Sequence, residues 1–138
     1  MDQATVMVVD DCSAWRLYLR ALMEIIPGFE IVADAGDGLE AVEKATQLRP
    51  DILLLDIGLP FLNGIRAAEA IRVSSPDTKI FFVTQEQDED INAALATGAE
   101  GYVVKSNAAS ELMMTVEAAL RRDVYPGQRA EPRAITAY

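Results

Sequence analysis

Short apolar runs alternate along the chain with longer segments in which apolar residues recur at helical spacing. Five runs have the length and composition of β-strands. Two of them, 6–9 and 51–56, contain four consecutive apolar residues, which is typical of strands covered on both faces in a parallel sheet. The five predicted strands are 6–9, 30–33, 51–56, 79–84 and 101–105.

A helical period follows each predicted strand. The Pro27-Gly28 pair ends the first helix, and the second begins after Gly38. The fourth helix, 88–98, carries acids in its first turn, which complement the helix dipole, and a glycine at its end, which is a common helix stop. The periodic positions are Trp15, Leu19, Leu22, Met23 and Ile26 in the first helix; Leu39, Val42 and Thr46 in the second; Ile65, Ala68 and Ile71 in the third; and Leu112, Val116 and Leu120 in the last, at about 107–122.

Strands and helices in alternation predict a doubly wound α/β domain with a five-stranded parallel sheet, five helices and right-handed crossovers. The length of 138 residues is that of one domain. We place this domain at 1–122. The period fails from about residue 123, and 123–138 contains two prolines and a glycine, so a C-terminal tail or linker is predicted there.

Composition and charge argue against several function classes. The formal net charge of −10 repels nucleic acid, so we expect no direct nucleic-acid binding by this chain. No apolar run approaches the ~20 residues of a membrane span, and no signal peptide is visible. The chain has no His and a single cysteine, Cys12, which argues against zinc and imidazole chemistry and fits a reducing cytosol. We therefore expect a cytoplasmic protein without membrane contact.

Polar side chains stand at the carboxyl ends of four predicted strands. Asp10 and Asp11 follow the first, Asp56 ends the third, Thr84 the fourth and Lys105 the fifth. In an open α/β sheet, functional groups gather at this edge, near the topological switch point. If the first and third strands are neighbours, three carboxylates converge, and their repulsion raises a pKa or is relieved by a divalent cation. Oxygen ligands without His or Cys favour Mg²⁺.

An aspartate beside a metal, a lysine and a hydroxyl suits phosphoryl transfer, in which catalysis is mostly positioning and charge neutralisation. Asp56 is the candidate nucleophile, because carboxylates form aspartyl phosphates. Taken singly, a strand-terminal Asp is as often a helix cap or turn former, and a lone Thr or Lys is more often structural or solvated. Their common location at one sheet edge favours a functional site. Trp15 and Tyr102 are expected to be core aromatics.

Four segments, VVDDC, DILLLDIGLPFLNG, FFVT and GAEGYVVK, occur with the order and spacing of a known family. Over about residues 4–122 the sequence resembles the receiver domain of bacterial two-component response regulators. DIGLPFLNGI and GYVVKS are especially similar to receivers that precede a helix-turn-helix output domain. The resemblance implies a flavodoxin-like sheet of order 2-1-3-4-5 and a cytoplasmic phosphoprotein of a phosphorelay. A sensor histidine kinase is the implied phosphodonor, and the chain is expected to be no enzyme beyond catalysing its own phosphorylation and dephosphorylation.

The resemblance also implies a role for each polar residue at the sheet edge. Asp56 matches the phosphoacceptor. Asp11 matches a direct ligand of Mg²⁺, Asp10 a ligand that acts largely through water, and Gly58 a ligand through its backbone carbonyl. Lys105 matches the lysine that pairs with the acyl phosphate.

Two further matches imply a conformational switch. Thr84 would turn its hydroxyl to the phosphoryl oxygen, and Tyr102 would swing inward with it, changing the surface of the fourth helix, fifth strand and fifth helix. Homodimerisation on phosphorylation through the face bearing Ile91, Tyr102 and Leu112 is one implied outcome. The chain is either a stand-alone receiver or the receiver part of a longer regulator, and the linker-like 123–138 favours the second.

Four positions affect the expected rates. Gln85 stands where the family usually has a small residue, so its amide is expected to narrow access to the site. Ser106 replaces a frequent proline that is joined by a cis bond, and a cis bond before Ser would cost about 3 kcal/mol. Gly58 supplies no side chain beside the phosphoacceptor, and Glu86 is expected to affect the lifetime of the phosphorylated form.

Three alternatives remain open on the sequence. A Mg²⁺ phosphatase with an aspartyl phosphate would usually carry an acid/base Asp two residues after the nucleophile, where this chain has Gly58. A flavin-binding module of the same fold would want a Ser/Thr/Gly-rich phosphate loop after the first strand, where this chain has two acids. A protein-interaction domain that no longer accepts phosphate is the third.

Overall fold

A computed structural model describes residues 3–85 and 90–124 of the chain. The strands are β1 (Ala4–Val9), β2 (Phe29–Ala35), β3 (Ile52–Leu55), β4 (Lys79–Thr84) and β5 (Gly101–Val104). The helices are α1 (Ser13–Glu24), α2 (Gly38–Leu48), α3 (Gly64–Ser74), α4 (Ile91–Leu95) and α5 (Ala108–Val124), and a 3₁₀ turn, Lys105–Asn107, precedes α5. All strands are parallel, in the order β2-β1-β3-β4-β5. The predicted doubly wound fold and its strand order are confirmed.

Strand β2 is longer than the predicted 30–33 and is irregular. It lies at one edge of the sheet, where half-buried and exposed residues alternate. Its hydrophobic signal is therefore weaker than that of the continuous runs in β1 and β3. Along its pairing with β1, Ile31 lies opposite Val6 and Ala33 opposite Met7, so Val32 is an extra residue that forms a β-bulge.

The described helices differ from the predictions mainly at their ends. Helix α4 ends at Leu95 and not at Gly98, because the next amides close tight turns: Thr97 N donates to Ala94 O at 3.1 Å and Gly98 N to Leu95 O at 3.0 Å. Gly98 still marks the stop, with φ +90°. The predicted start of this helix, residues 88 and 89, lies outside the described residues.

The last helix, α5, continues to Val124, two residues past the predicted domain boundary. Residues 125–138 of the predicted tail lie outside the described part of the chain. None of the described helices is long and apolar enough to cross a membrane.

Helices cover both faces of the sheet, as the continuous apolar runs predict. On one face, α1 and α5 bury Leu19, Met23, Leu112 and Val116 against strand side chains such as Val8. On the other face, α2, α3 and α4 bury small and branched residues against the sheet; examples are Ala41, Ala45, Ala68, Ile71 and Ala94. Val6 to Val9 and Ile52 to Leu55 are almost fully buried on both sides.

The strand register brings the carboxyl ends of β1, β3, β4 and β5 to one edge of the sheet. Val9 lies opposite Leu55, Leu55 opposite Phe82, and Thr84 opposite Val104. The residues that follow Val9, Leu55 and Val104 are therefore neighbours at the carboxyl edge. The amide of Asp56 continues the ladder by donating to Val9 O at 3.1 Å.

Candidate functional site

A buried lysine and two buried aspartates form the centre of the carboxyl edge. Lys105 Nζ lies 2.7 Å from Asp10 Oδ2 and 3.5 Å from Asp56 Oδ2. Asp10 Oδ1 accepts a hydrogen bond from the amide of Cys12 at 2.9 Å, which ties the start of α1 to this carboxylate. The sequence prediction that these charges converge is therefore met in the structure.

Asp11 completes a group of three carboxylates with Asp10 and Asp56. One oxygen of each lies within 4.8 Å of the other two, and Asp11 is exposed while its partners are buried. Apart from the ion pair with Lys105, Asp10 Oδ2 has no hydrogen-bond partner in the described part of the chain. Clustered oxygen donors with spare coordination capacity and one solvent-facing member fit a hard divalent ion that keeps several waters.

The charges of the site shift two pKa values. Burial raises the pKa of Asp56, and the negative charge of Asp10 adds to this, while Lys105 and a hydrogen bond from the Gly58 amide act in the opposite direction. Burial by itself lowers the pKa of Lys105, but the contact with Asp10 and the charges of Asp56 and Asp10 outweigh it, so the net shift is upward. Lys105 is thus held as a cation, and Asp56 ionises at a cost in free energy.

Gly58 leaves open space beside Asp56. No atom lies within 4 Å of the place where a Cβ at residue 58 would stand. The role of its carbonyl as a metal ligand stays a prediction.

Gly64 was missed by the sequence analysis as part of the site. A Cβ at this position would overlap the carbonyl oxygen of Asp56. The Gly64 amide donates to Ile57 O at 2.7 Å, and Asn63 caps the start of α3 by accepting from the amide of Arg66 at 2.9 Å. The Asn63-Gly64 pair after the loop was the signal that could have identified it.

Arg16 is a second residue that the sequence analysis missed. Its Nη1 donates to the carbonyl of Asp10 at 2.7 Å, and its Nε lies 3.7 Å from Asp34 Oδ2. Arg20 Nη1 contacts the same Asp34 oxygen at 3.4 Å. Asp34 thus pairs with two arginines of α1. It is not part of the carboxylate cluster found among the described residues.

Trp15 lies at the site and is only half-buried, which corrects its prediction as a plain core aromatic. The Lys105 ammonium lies 5.2 Å from the centroid of its ring. The rest of the side chain packs against the apolar cluster between the sheet and the α1 and α5 face. Its position one turn after Asp11 explains both contacts, because the start of α1 faces the carboxyl edge.

Thr84 and Tyr102 differ in burial. Thr84 ends β4 and is 2 % exposed, at the same edge as Lys105. Tyr102 is 38 % exposed, so its prediction as a core aromatic is wrong. It lies opposite Phe82 on the edge strand β5, on the face where the short helix α4 packs, and this helix leaves the ring uncovered. The proposed coupling between Thr84 and Tyr102 stays a prediction.

Two of the positions expected to affect rates, Gln85 and Ser106, directly follow Thr84 and Lys105 in the chain. Gln85 is exposed. Ser106 lies within the 3₁₀ turn Lys105–Asn107, and the described residues contain no cis peptide bond. Glu86 lies outside the described residues.

Comparison with known protein families and curated proteins identifies related chains. A family model described as the response regulator receiver domain matches residues 6–117. The chain is 34 % identical over 122 residues to the nitrate/nitrite response regulator protein NarP of Escherichia coli strain K12, covering 86 % of this chain and 57 % of that protein. It is 31 % identical over 134 residues to the transcriptional regulatory protein DegU of Brevibacillus brevis, covering 96 % and 57 %. The chain thus spans somewhat more than half the length of these relatives.

Solved structures share the same fold. The crystal structure of a LuxR-family two-component response regulator from Aurantimonas sp. SI85-9A1 is 36 % identical, with a TM-score of 0.80 over 87 % of this chain and 86 % of that one. The response regulator domain of Thermotoga maritima CheB is 32 % identical, with a TM-score of 0.79 over 86 % and 97 %. The sheet order and the helices described above agree with this likeness.

Proposed function

Because the chain belongs to the family of response regulator receiver domains, we propose that it is a phosphoaccepting switch of a two-component phosphorelay with Asp56 as the phosphoacceptor. A sensor histidine kinase is the proposed phosphodonor. The observation that carries the proposal is the environment of Asp56, which is a buried carboxylate 3.5 Å from a buried ammonium and within a cluster of two further carboxylates.

Mg²⁺ is the proposed cofactor. Asp11 and Asp56 would bind it directly, Asp10 largely through water, and Gly58 through its carbonyl. The fit rests on the three converging oxygens and on the spare capacity of Asp10 Oδ2. When bound, Mg²⁺ supplies positive charge that neutralises the phosphoryl oxygens during transfer.

In the proposed transfer, a carboxylate oxygen of Asp56 attacks the phosphorus of the donor. The new P–O bond forms while the bond between phosphorus and the donor atom breaks, and the leaving group takes the electron pair. Lys105 stabilises the charge on the phosphoryl oxygens, since its raised pKa keeps it protonated. The open space beside Gly58 leaves room for the donor group.

Thr84 and Tyr102 are the proposed switch residues. A phosphoryl group on Asp56 adds about −1.5 to −2 of charge and new acceptor oxygens at the sheet edge where the buried Thr84 ends β4. A full change of state needs roughly 5.5 kcal/mol of differential interaction, and a few charge-assisted hydrogen bonds at ~1.5–3 kcal/mol each are enough. The exposed ring of Tyr102 is then the group that moves, altering the surface of α4, β5 and α5, with homodimerisation as one consequence.

Regulation of transcription is the proposed output. The relatives include the transcriptional regulatory protein DegU, and this chain covers 57 % of its length. An output domain outside the matched region would then carry the DNA contact, in agreement with the net charge of −10 on this chain.

The test is the intact mass of the protein after incubation with Mg²⁺ and acetyl phosphate, for wild type and Asp56→Asn. We expect one labile phosphoryl group on wild type and none on the variant. Asp34→Asn is the matched control, because Asp34 pairs with Arg16 and Arg20 outside the carboxylate cluster, and it should still be phosphorylated. Uptake by Asp56→Asn would place the acceptor elsewhere and overturn the site assignment.

A phosphatase that turns over small esters is the main competing function. It needs a general acid close to the nucleophile, and position 58 presents a hydrogen atom in open space. We therefore expect hydrolysis of p-nitrophenyl phosphate at the rate of a buffer control. Sustained turnover that disappears in Asp56→Asn would favour the phosphatase.

A further inference from the structure

The ammonium of Lys105 is contacted by an aromatic ring as well as by carboxylates. Its distance of 5.2 Å from the centroid of the Trp15 ring is within the range of a cation–π interaction. The Trp15 ring in turn meets Tyr18 edge-on, with centroids 5.3 Å apart and planes at 84°. These residues and Ala14 line an open cleft of about 320 Å³. Trp15 therefore forms the wall of the site on the side of α1.

We propose that Trp15 is a positioning residue that holds Lys105 in place for phosphoryl transfer, an inference that rests on the phosphoacceptor role proposed for Asp56. The ammonium is nearer to Asp10, at 2.7 Å, than to Asp56, at 3.5 Å. A phosphoryl group on Asp56 would give the Lys105 ammonium, which has three donors, a new anionic partner besides Asp10. The indole face attracts the ammonium independently of both carboxylates. Trp15 can therefore keep Lys105 in the site while the anionic partners of Lys105 change.

The surroundings of Trp15 fix the ring in this position. The Trp15 side chain packs against the apolar cluster of α1, α5 and the sheet, and Tyr18 of the same helix contacts its ring edge-on. The side chain of Lys105 is 6 % exposed, and a cation–π interaction strengthens as the cation loses water. The ring is thus held by packing and the cation by its ion pairs, 5.2 Å apart.

Fluorinated tryptophan provides the sharpest test. Trp15 is the only tryptophan in the chain, so biosynthetic incorporation of analogues with one, two or three ring fluorines changes this ring alone. Fluorine withdraws electron density from the ring face with little change of shape. We expect the rate of phosphorylation by acetyl phosphate in Mg²⁺ to fall stepwise with the number of fluorines.

Two substitutions of Trp15 extend the comparison beyond the fluorinated analogues. Trp15→Leu removes the aromatic face and should slow phosphorylation by roughly two- to thirty-fold. Trp15→Phe retains a weaker face and should fall between Leu and wild type. Leu17→Ala, an exposed position on the same helix, is the matched control and should leave the rate unchanged.

A second readout needs neither metal nor phosphodonor. The ring current of the indole should move the NMR signals of the Lys105 Hε protons upfield of those of Lys44, whose side chain is about a third exposed and pairs with Glu40. In Trp15→Leu the Lys105 signals should return toward those of Lys44. This measurement reports the contact itself.

Each outcome decides the proposal. Equal rates across the fluorinated series, or Lys105 signals that do not move in Trp15→Leu, would overturn it. A lower urea midpoint for Trp15→Leu without a trend in the fluorinated series would identify packing as the only role of the ring. If wild type takes up no phosphoryl group, the proposed function fails and the transfer role fails with it, while the NMR shift still decides whether Trp15 holds Lys105.

Discussion

The ammonium of Lys105 lies 2.7 Å from the carboxylate of Asp10, and both side chains are almost fully buried. A second carboxylate, that of Asp56, lies 3.5 Å from the same nitrogen. One cation therefore balances two buried anions. The site is stable in this form only while the cation is present or another positive charge replaces it.

Lys105→Met should destabilise the metal-free protein by about 3–5 kcal/mol at neutral pH, because it leaves two buried carboxylates without their partner. The measurement is the free energy of unfolding in urea. Lys44→Met is the matched control. Its ammonium pairs with Glu40 at 2.9 Å and donates to Asp34 O at 2.7 Å, but the side chain is about a third exposed, so the loss should be only about 1 kcal/mol. Equal losses in the two variants would show that burial does not control the strength of the Lys105 pairs.

Asp56→Asn should stabilise the metal-free protein at neutral pH. The pKa of Asp56 is raised above its unfolded value by burial first and by Asp10 next. The folded state therefore holds this proton more tightly than the unfolded chain, so stability falls as pH rises from the unfolded pKa through the folded pKa. Asparagine removes this loss.

The same variant should show no advantage in acid. Below about pH 4 the carboxyl is protonated in both the folded and the unfolded state, and the linkage contribution vanishes. Urea midpoints of wild type and Asp56→Asn at neutral and acid pH give the comparison. A stabilising effect of equal size at both pH values would contradict the role of ionisation.

Gly64→Ala should lower stability by about 1–3 kcal/mol and slow phosphorylation, because the new methyl group overlaps the carbonyl oxygen of Asp56 and forces the loop to move. Gly58→Ala is the matched control six residues earlier. Its methyl group would meet no atom within 4 Å, so its stability should equal or exceed that of wild type. Thermal unfolding and the rate of phosphoryl uptake by intact mass report the two effects. Tolerance of alanine at Gly64 would mean that the loop backbone is not fixed by this contact.

Phe61→Gly should be more stable than Phe61→Ala by roughly 1 kcal/mol. Phe61 is 83 % exposed and has φ +67°, a left-handed backbone conformation that costs a residue with a Cβ about 1–2 kcal/mol. Both variants remove the exposed ring, but only glycine also removes the backbone strain. The greater conformational entropy that glycine loses on folding offsets part of this gain. Urea denaturation of the pair isolates the backbone contribution. Equal stabilities would indicate that the loop relaxes without the phenyl ring.

The sequence was sufficient for the fold because its signals are strong and mutually consistent. Four-residue apolar runs at 6–9 and within 51–56 require cover on both faces, and both are almost fully buried. The carboxyl-edge positions of Asp10, Asp56 and Lys105 then follow from parallel strands in register. Local spacing thus placed these residues at strand ends, and the family resemblance supplied the strand order that makes them neighbours.

The parts that sequence missed depend on tertiary packing. Gly64 matters through a backbone atom of Asp56, which no residue pattern reveals. Tyr102 is an aromatic residue within a strand, which is typical of the core. Its exposure is set by the short α4 beside the edge strand β5. Trp15 follows the helical period of α1. Its contact with Lys105 joins two residues that lie ninety positions apart in the chain, which no local pattern reveals.

The bulge at Val32 has a consequence for self-association of the sheet. A straight outer strand is a template on which a foreign strand can extend the ladder and seed fibrils. With one surplus residue, β2 presents donors and acceptors out of step with any regular partner. This side of the domain is thereby protected against strand-by-strand growth, even when many copies crowd together.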